Sequence, residues 1–110
     1  MSVRKKLCRV EDVPEGGATA VEADQAGMAV PLILLRRRGD LLAYENQCPH
    51  TGRRLDWAPG RFLVEDDQLI CAAHGACFAI ATGNCTGGPA RGAALASVAI
   101  AIVDGEVWLA

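Results

Sequence analysis

Cys48-Pro49-His50-Thr51-Gly52-Arg53-Arg54-Leu55 and Cys71-Ala72-Ala73-His74-Gly75-Ala76-Cys77-Phe78 are the two stretches that decide how this chain is read. Between them they hold both histidines of the protein and three of its five cysteines. Each opens on a mixed pair, Cys48 with His50 and Cys71 with His74, and 20 residues separate the pairs. That interval has room for a hairpin that brings two loop tips together. Four soft or borderline donors converging in this way suit zinc or iron, and poorly suit calcium or magnesium, which prefer oxygen.

Arrangement discriminates between the two metals. Structural zinc sites built from two cysteines and two histidines usually pair like with like, as C-x2-4-C and H-x3-5-H. Here the pairs are mixed, so both thiolates can go to an inner metal and both imidazoles to an outer one. That is the ligand partition of a Rieske centre, in which two histidines replace two cysteines on one iron of a [2Fe–2S] cluster. A structural zinc site or a chance Cys/His cluster stays as the bland reading.

Outward from these loops the chain reads as strands and turns. Leu7 to Val10 is a short strand, and Asp12-Val13-Pro14-Glu15-Gly16-Gly17 is loop chemistry. Val30 to Leu35 and Leu41 to Tyr44 form a hairpin with Gly39-Asp40 near its turn. Phe62-Leu63-Val64 and Gln68-Leu69-Ile70-Cys71 flank Glu65-Asp66-Asp67 as a second hairpin. Ser97 to Val103, the Asp104-Gly105 turn and Glu106 to Leu109 make a third. No amphipathic helix holds its spacing beyond two turns. The expectation is an all-β antiparallel sandwich built from both chain ends, residues 1–47 and 93–110, with a loop-rich insert at 48–92.

Composition narrows the partners. The 110 residues amount to one domain, and a net charge of −2 lacks the positive excess of a nucleic-acid binder. The longest small-apolar run, Gly92 to Val103, is too short for a membrane helix, which needs about 20 residues. Behind Lys6 there is no apolar stretch of signal-peptide length, so a cytoplasmic protein with reduced thiols is expected.

Both Cys/His stretches, together with Thr82-Gly83 and Gly87-Gly88-Pro89, resemble the two cluster loops and the proline loop of the Rieske [2Fe–2S] ferredoxin family. The resemblance implies one [2Fe–2S] cluster ligated by Cys48, His50, Cys71 and His74. Cys48 and Cys71 would hold the inner iron, and His50 and His74 the outer iron at the exit edge. Gly52 and Gly75, lacking a Cβ, would let backbone N–H groups approach the bridging sulfides.

Departures from the respiratory members of that family are equally informative. Their extra disulfide would require cysteines where this chain has Arg53 and Ala73, and their Ser and Tyr donors fall on Ala76 and Phe78. Fewer hydrogen bonds to the cluster imply the lower end of a range of roughly −150 to +300 mV. Cys8, Cys77 and Cys85 are left over as small buried hydrophobes, with a disulfide between any two left open by the sequence. Trp57 and Trp108 read as packing residues, Arg36 to Arg38 as a solvated turn, and Arg53 and Arg54 as candidates for steering a partner.

With both histidines assigned as ligands, the sequence holds none for a mononuclear 2-His-1-carboxylate iron, and it shows no G-x-G-x-x-G fingerprint. The expected function is electron transfer between a reductase and a terminal oxygenase or similar enzyme, without catalysis by this chain. Two other readings are the small Rieske-like subunit of a nitrite reductase complex and a zinc-stabilised interaction module. Neither nucleic acid nor membrane is an expected partner.

Overall fold

The computed structural model describes residues 6–25, 27–47, 54–56, 58, 61–71, 75–87 and 93–110. Ten strands run through them: β1 (Lys6–Arg9), β2 (Ala18–Gln25), β3 (Met28–Arg37), β4 (Asp40–Glu45), β5 (Leu63–Glu65), β6 (Gln68–Ile70), β7 (Cys77–Ala79), β8 (Cys85–Gly87), β9 (Ile100–Val103) and β10 (Glu106–Leu109). A 3-10 turn at Val10–Asp12 is the one helical element among the described residues. All strand pairings are antiparallel, in three sheets ordered β1-β10-β9, β2-β3-β4 and β5-β6-β7-β8. The all-β architecture is the one the sequence implies.

The middle sheet is covered on both faces. Side chains alternate along a strand, so Ile33 and Leu35 of β3 point one way and Leu34 the other. Ile33, Leu35 and Tyr44 pack with Leu55, Leu69, Cys71, Ala76, Phe78, Ile80 and Leu95, which joins β2-β3-β4 to the four-stranded sheet. Leu34, Ala43, Val13 and Val107 form a second core against the β1-β10-β9 sheet. Leu32, Ile33, Leu34 and Leu35 are all fully buried, which is why this strand reads as an unbroken apolar run.

Turn chemistry fixes the hairpins. Asp104 (φ 52°) and Gly105 (φ 77°) join β9 to β10 in the doubly left-handed conformation that matches strand twist. The β5–β6 turn uses Asp66 (φ 48°) and Asp67 (φ 61°) in the same way, aspartate being among the residues that tolerate this region. The β3–β4 turn is shifted by one residue from expectation. Arg38 (φ 52°) and Gly39 (φ 83°) make it, and Asp40 already pairs with Arg37.

Three further differences have physical causes. β2 was not legible, because Ala18–Gln25 is rich in Ala, Glu and Asp; eight register pairs with β3 hold it extended. The strand expected from Ser97 begins only at Ile100, since Val98 gives its N–H to Ala43 and Glu45 donates to Ala96, tying this segment to β4 instead. Val10 leaves β1 to open the 3-10 turn, and its N–H donates to Gly105.

Arginines expected to be solvated make specific contacts. The Arg37 guanidinium lies 3.0 Å and 3.1 Å from the two carboxylate oxygens of Asp67, linking the β3–β4 turn to the β5–β6 turn. Arg36 meets Glu15 at 3.1 Å, while Arg38 is exposed. The Arg37 hydrogen bond holds the Asp67 carboxyl below its ordinary value of 3.8. A depressed folded-state value means that this contact stabilises the fold above pH 3.8 and loses its contribution as pH falls through the folded value. Denaturant midpoints of Asp67→Asn and the parent should therefore differ at neutral pH and converge in strong acid; a gap unchanged by acid would contradict this linkage.

Candidate cluster site

Of the four expected ligands, Cys71 lies within the described residues; Cys48, His50 and His74 lie outside them, as do Pro49, Gly52, Arg53, Trp57, Ala73 and Pro89. Cys71 sits one residue past β6 and is fully buried beside Leu69, Ala76 and Phe78. Its N–H donates to the Ala76 carbonyl at 2.7 Å, and its own carbonyl accepts from Gly75 at 2.8 Å. These bonds close the 71–76 loop at its base, between the last residue of β6 and the first of β7. A thiol is thereby held at the neck of the loop that carries His74.

Gly75 takes part in closing this loop. Its N–H is engaged by the Cys71 carbonyl, and its φ of +72° is the left-handed turn that brings the chain back toward β7. A side chain at this φ is strained whatever stands around it, which calls for glycine here.

The first loop is closed by a side chain that sequence reading did not single out. Asn46, 1% exposed, follows β4 immediately; its Oδ1 accepts the Leu55 N–H at 2.7 Å and its Nδ2 donates to Asp56 Oδ1 at 3.3 Å. Its backbone N–H donates to the Pro31 carbonyl at 2.8 Å, fixing the amide to β3. Asn46 thus ties together both ends of the segment that contains Cys48 and His50. Asp56 in turn receives two bonds from Arg54, Nε to Oδ1 at 3.1 Å and Nη2 to Oδ2 at 3.2 Å. The only hint in sequence is the turn-forming habit of Asn and Asp near a loop.

A second clamp lies behind the other loop. The buried Tyr44 hydroxyl donates to the Ile80 carbonyl at 2.7 Å, and burial pushes its pKa up. Gly83, of the Thr82-Gly83 pair, places its α-carbon against the same ring: a Cβ there would stand 2.7 Å from Tyr44 Cε1. The Thr-Gly signal is therefore explained by close packing on Tyr44.

The other described cysteines make contacts of their own. Cys77 Sγ donates to the Gly75 carbonyl at 3.6 Å, Cys85 Sγ to the Gly87 carbonyl at 3.2 Å, and Cys8 packs on β1 against the other core. Burial, and next the Asp12 carboxylate, raises the Cys8 pKa, so its thiol stays protonated and unreactive. All described cysteines are free thiols.

Comparison with known proteins agrees with this geometry. Residues 3–102 match the Rieske [2Fe-2S] domain, and the chain belongs to that family. It is similar to the 3-phenylpropionate/cinnamic acid dioxygenase ferredoxin subunit of Photorhabdus laumondii, with 25% identity over 94% of this chain and 90% of that one. Among solved structures it is similar to the Sphingomonas yanoikuyae B1 ferredoxin, with 27% identity, a TM-score of 0.74 and 97% of each chain covered. It also shares the fold of a chain in the complex of reduced oxygenase and oxidized ferredoxin of carbazole 1,9a-dioxygenase, with 24% identity and a TM-score of 0.77 over 100% of this chain and 94% of that one. The cofactor is one Rieske [2Fe–2S] cluster. The donor set fits it: the chain supplies two histidines, and Cys71 offers a desolvated thiol at a loop neck. Among the described residues no helix is long and apolar enough to cross a membrane.

Proposed function

We propose that this chain is the electron-carrying ferredoxin of a multicomponent oxygenase, taking one electron from a reductase and giving it to a terminal oxygenase. The observation that carries this reading is the near end-to-end similarity to a dioxygenase ferredoxin subunit, 94% of one chain against 90% of the other. Cys48, His50, Cys71 and His74 are the ligands in this reading, with segment 48–92 as the cluster-bearing part and residues 1–47 and 93–110 as its base. When bound, the cluster supplies a one-electron couple. The chain's own contribution is to hold the loops, through Asn46 on the first and the Cys71–Ala76 closure on the second, so that little moves when the electron arrives. The site of work is the cytoplasm.

The nitrite reductase reading draws on the fold alone: a putative small subunit of that enzyme superposes with a TM-score of 0.66 at 14% identity. Stopped-flow mixing separates the two. Protein reduced by one electron should be reoxidised at a rate that rises with the concentration of a ring-hydroxylating dioxygenase's terminal oxygenase. Oxidation by a sirohaem protein, with none by the oxygenase, would overturn the proposal.

The low-potential expectation can be tested on the two positions that lack donors. Ala76 and Phe78 are both fully buried. Ala76→Ser and Phe78→Tyr each introduce a hydroxyl. A hydrogen bond worth about 1–1.5 kcal/mol more to the reduced cluster corresponds to about 40–60 mV for a one-electron couple. Each variant should therefore raise the potential by that order in voltammetry, with the double variant highest; an unchanged or lowered potential would count against the reading.

A further inference from the structure

We infer that a row of apolar side chains on the outer face of the four-stranded sheet, Leu63, Ile70 and Cys77, is the surface on which the terminal oxygenase docks. The inference rests on the ferredoxin reading and names the face of the molecule that meets its electron acceptor. Leu63, Ile70 and Cys77 stand opposite one another in the successive strands β5, β6 and β7. Cross-strand partners share a face of a sheet, and neighbours along a strand alternate between faces. The adjoining row, Val64, Leu69 and Phe78, packs into the core against β2-β3-β4, so the Leu63 row is turned outward. Leu63 is 43% exposed, while Ile70 and Cys77 are half-buried.

Position selects the partner. Ile70 immediately precedes Cys71, and Cys77 immediately follows Ala76, the two residues whose backbone bond closes the second loop. The row is therefore the last of the sheet before the loop that carries His74. Four large apolar side chains are exposed among the described residues: Met28, Leu63, Ile102 and Val103. Leu63 is the one on this sheet; Met28 opens β3, and Ile102 and Val103 lie on β9, beyond the middle sheet.

Chemistry selects the kind of contact. Electron carriers meet their acceptors through small, brief interfaces, and a protein interface has an apolar centre with a polar rim. Here the rim is charged on both sides of Leu63. Arg61 precedes it by two residues and Glu65 follows it by two; both are exposed, and neither enters an ion pair among the described residues. Thr86 and Gln68, hydrogen-bonded at 3.3 Å, border the row on its polar side. The complementary oxygenase surface is an apolar side chain with a carboxylate placed to meet Arg61. Opposite charges at Arg61 and Glu65 then fix the orientation of docking.

The test uses neutral substitutions, which leave the charge around the cluster unchanged. Cluster-loaded, one-electron-reduced protein is mixed in stopped flow with the terminal oxygenase of a ring-hydroxylating dioxygenase, so that one electron leaves this chain and reduces the oxygenase. Leu63→Asn should lower the second-order rate constant about tenfold at low and at high salt alike, and weaken the Kd of the oxidised protein in calorimetry by the same factor. Ile102→Asn, at a comparably exposed position on the far sheet, should stay close to the parent in both. Arg61→Gln, which disturbs no packed side chain, should slow the reaction at low salt and approach the parent at high salt, because salt screens an exposed charge. A Leu63→Asn rate equal to the parent's, an equal loss in Ile102→Asn, a slower rate without a weaker Kd, or an Arg61→Gln rate unchanged at low salt would overturn the inference while leaving the ferredoxin reading intact. Reduced parent protein that the oxygenase fails to oxidise would overturn that reading, and this inference with it.

Discussion

Cys71→Ala protein should carry almost no iron and acid-labile sulfide, against the two of each per chain that a [2Fe–2S] cluster brings. The reason is positional. Cys71 is fully buried at the neck of a loop closed by its own backbone bonds, so no other thiol can be carried into its place without unmaking the β6–β7 junction. The remaining described cysteines supply the control. Cys77 and Cys85 direct their Sγ atoms to the carbonyls of Gly75 and Gly87, and Cys85→Ala and Cys77→Ala should retain the cluster. Removing the Cys71 sulfur from the core itself costs on the order of 1 kcal/mol by cavity formation, too little to unfold the chain. Loss of the cluster therefore comes with a larger fall in thermal stability than loss of a buried thiol explains. Full iron content in Cys71→Ala, or loss of it in Cys85→Ala as well, would remove Cys71 from the ligand set.

Gly83→Ala should be the most destabilising single-methyl change in the described chain. Its φ of +78° is costly for any residue with a Cβ, and that Cβ would stand 2.7 Å from Tyr44 Cε1 and 3.4 Å from the Leu95 carbonyl oxygen. Neither neighbour can retreat easily: the Tyr44 hydroxyl is held by Ile80, and Leu95 donates its N–H to the Gly83 carbonyl. Backbone strain of about 1–2 kcal/mol and overpacking of about 1–3 kcal/mol together give a loss of about 2–5 kcal/mol. For a domain of this size that lowers Tm by on the order of 10 °C or more. Gly75→Ala is the matched comparison, with a φ of +72° and none of the described residues within 4 Å of its Cβ position. It should lose only the strain part, about 1–2 kcal/mol. Equal losses at the two positions would mean that the Tyr44 contact does not matter.

What the sequence displayed and what it hid follow from how far apart the interacting residues lie. The Asp104-Gly105 turn was legible because its geometry is set by two neighbouring residues. Membership of the Rieske family was legible because a metal centre demands particular side chains at particular spacing. β2 was hidden because Ala18–Gln25 has little preference for a strand, and only its partner β3 makes it one. Ser97–Ala99 misled for the converse reason: its alternation suits a strand, but Val98 donates to Ala43 of β4, and only the Ala99 carbonyl turns to the other sheet, accepting from Ala110. The Asn46–Asp56 clamp joins residues ten positions apart, and nothing local distinguishes that asparagine from a loop residue. Gly75 was singled out by its place in the second loop, but its left-handed φ and its N–H bond to Cys71 depend on the folded loop and were not legible.

Electron paramagnetic resonance of the reduced protein, with and without nitrogen-15 labelling of histidine, decides whether both histidines bind a two-iron cluster. One-electron reduction should give the signal of a mixed-valence two-iron cluster, with nitrogen couplings from two imidazoles, both altered by the label. Stoichiometric zinc without iron or sulfide, or an iron signal showing no histidine nitrogen, would contradict it.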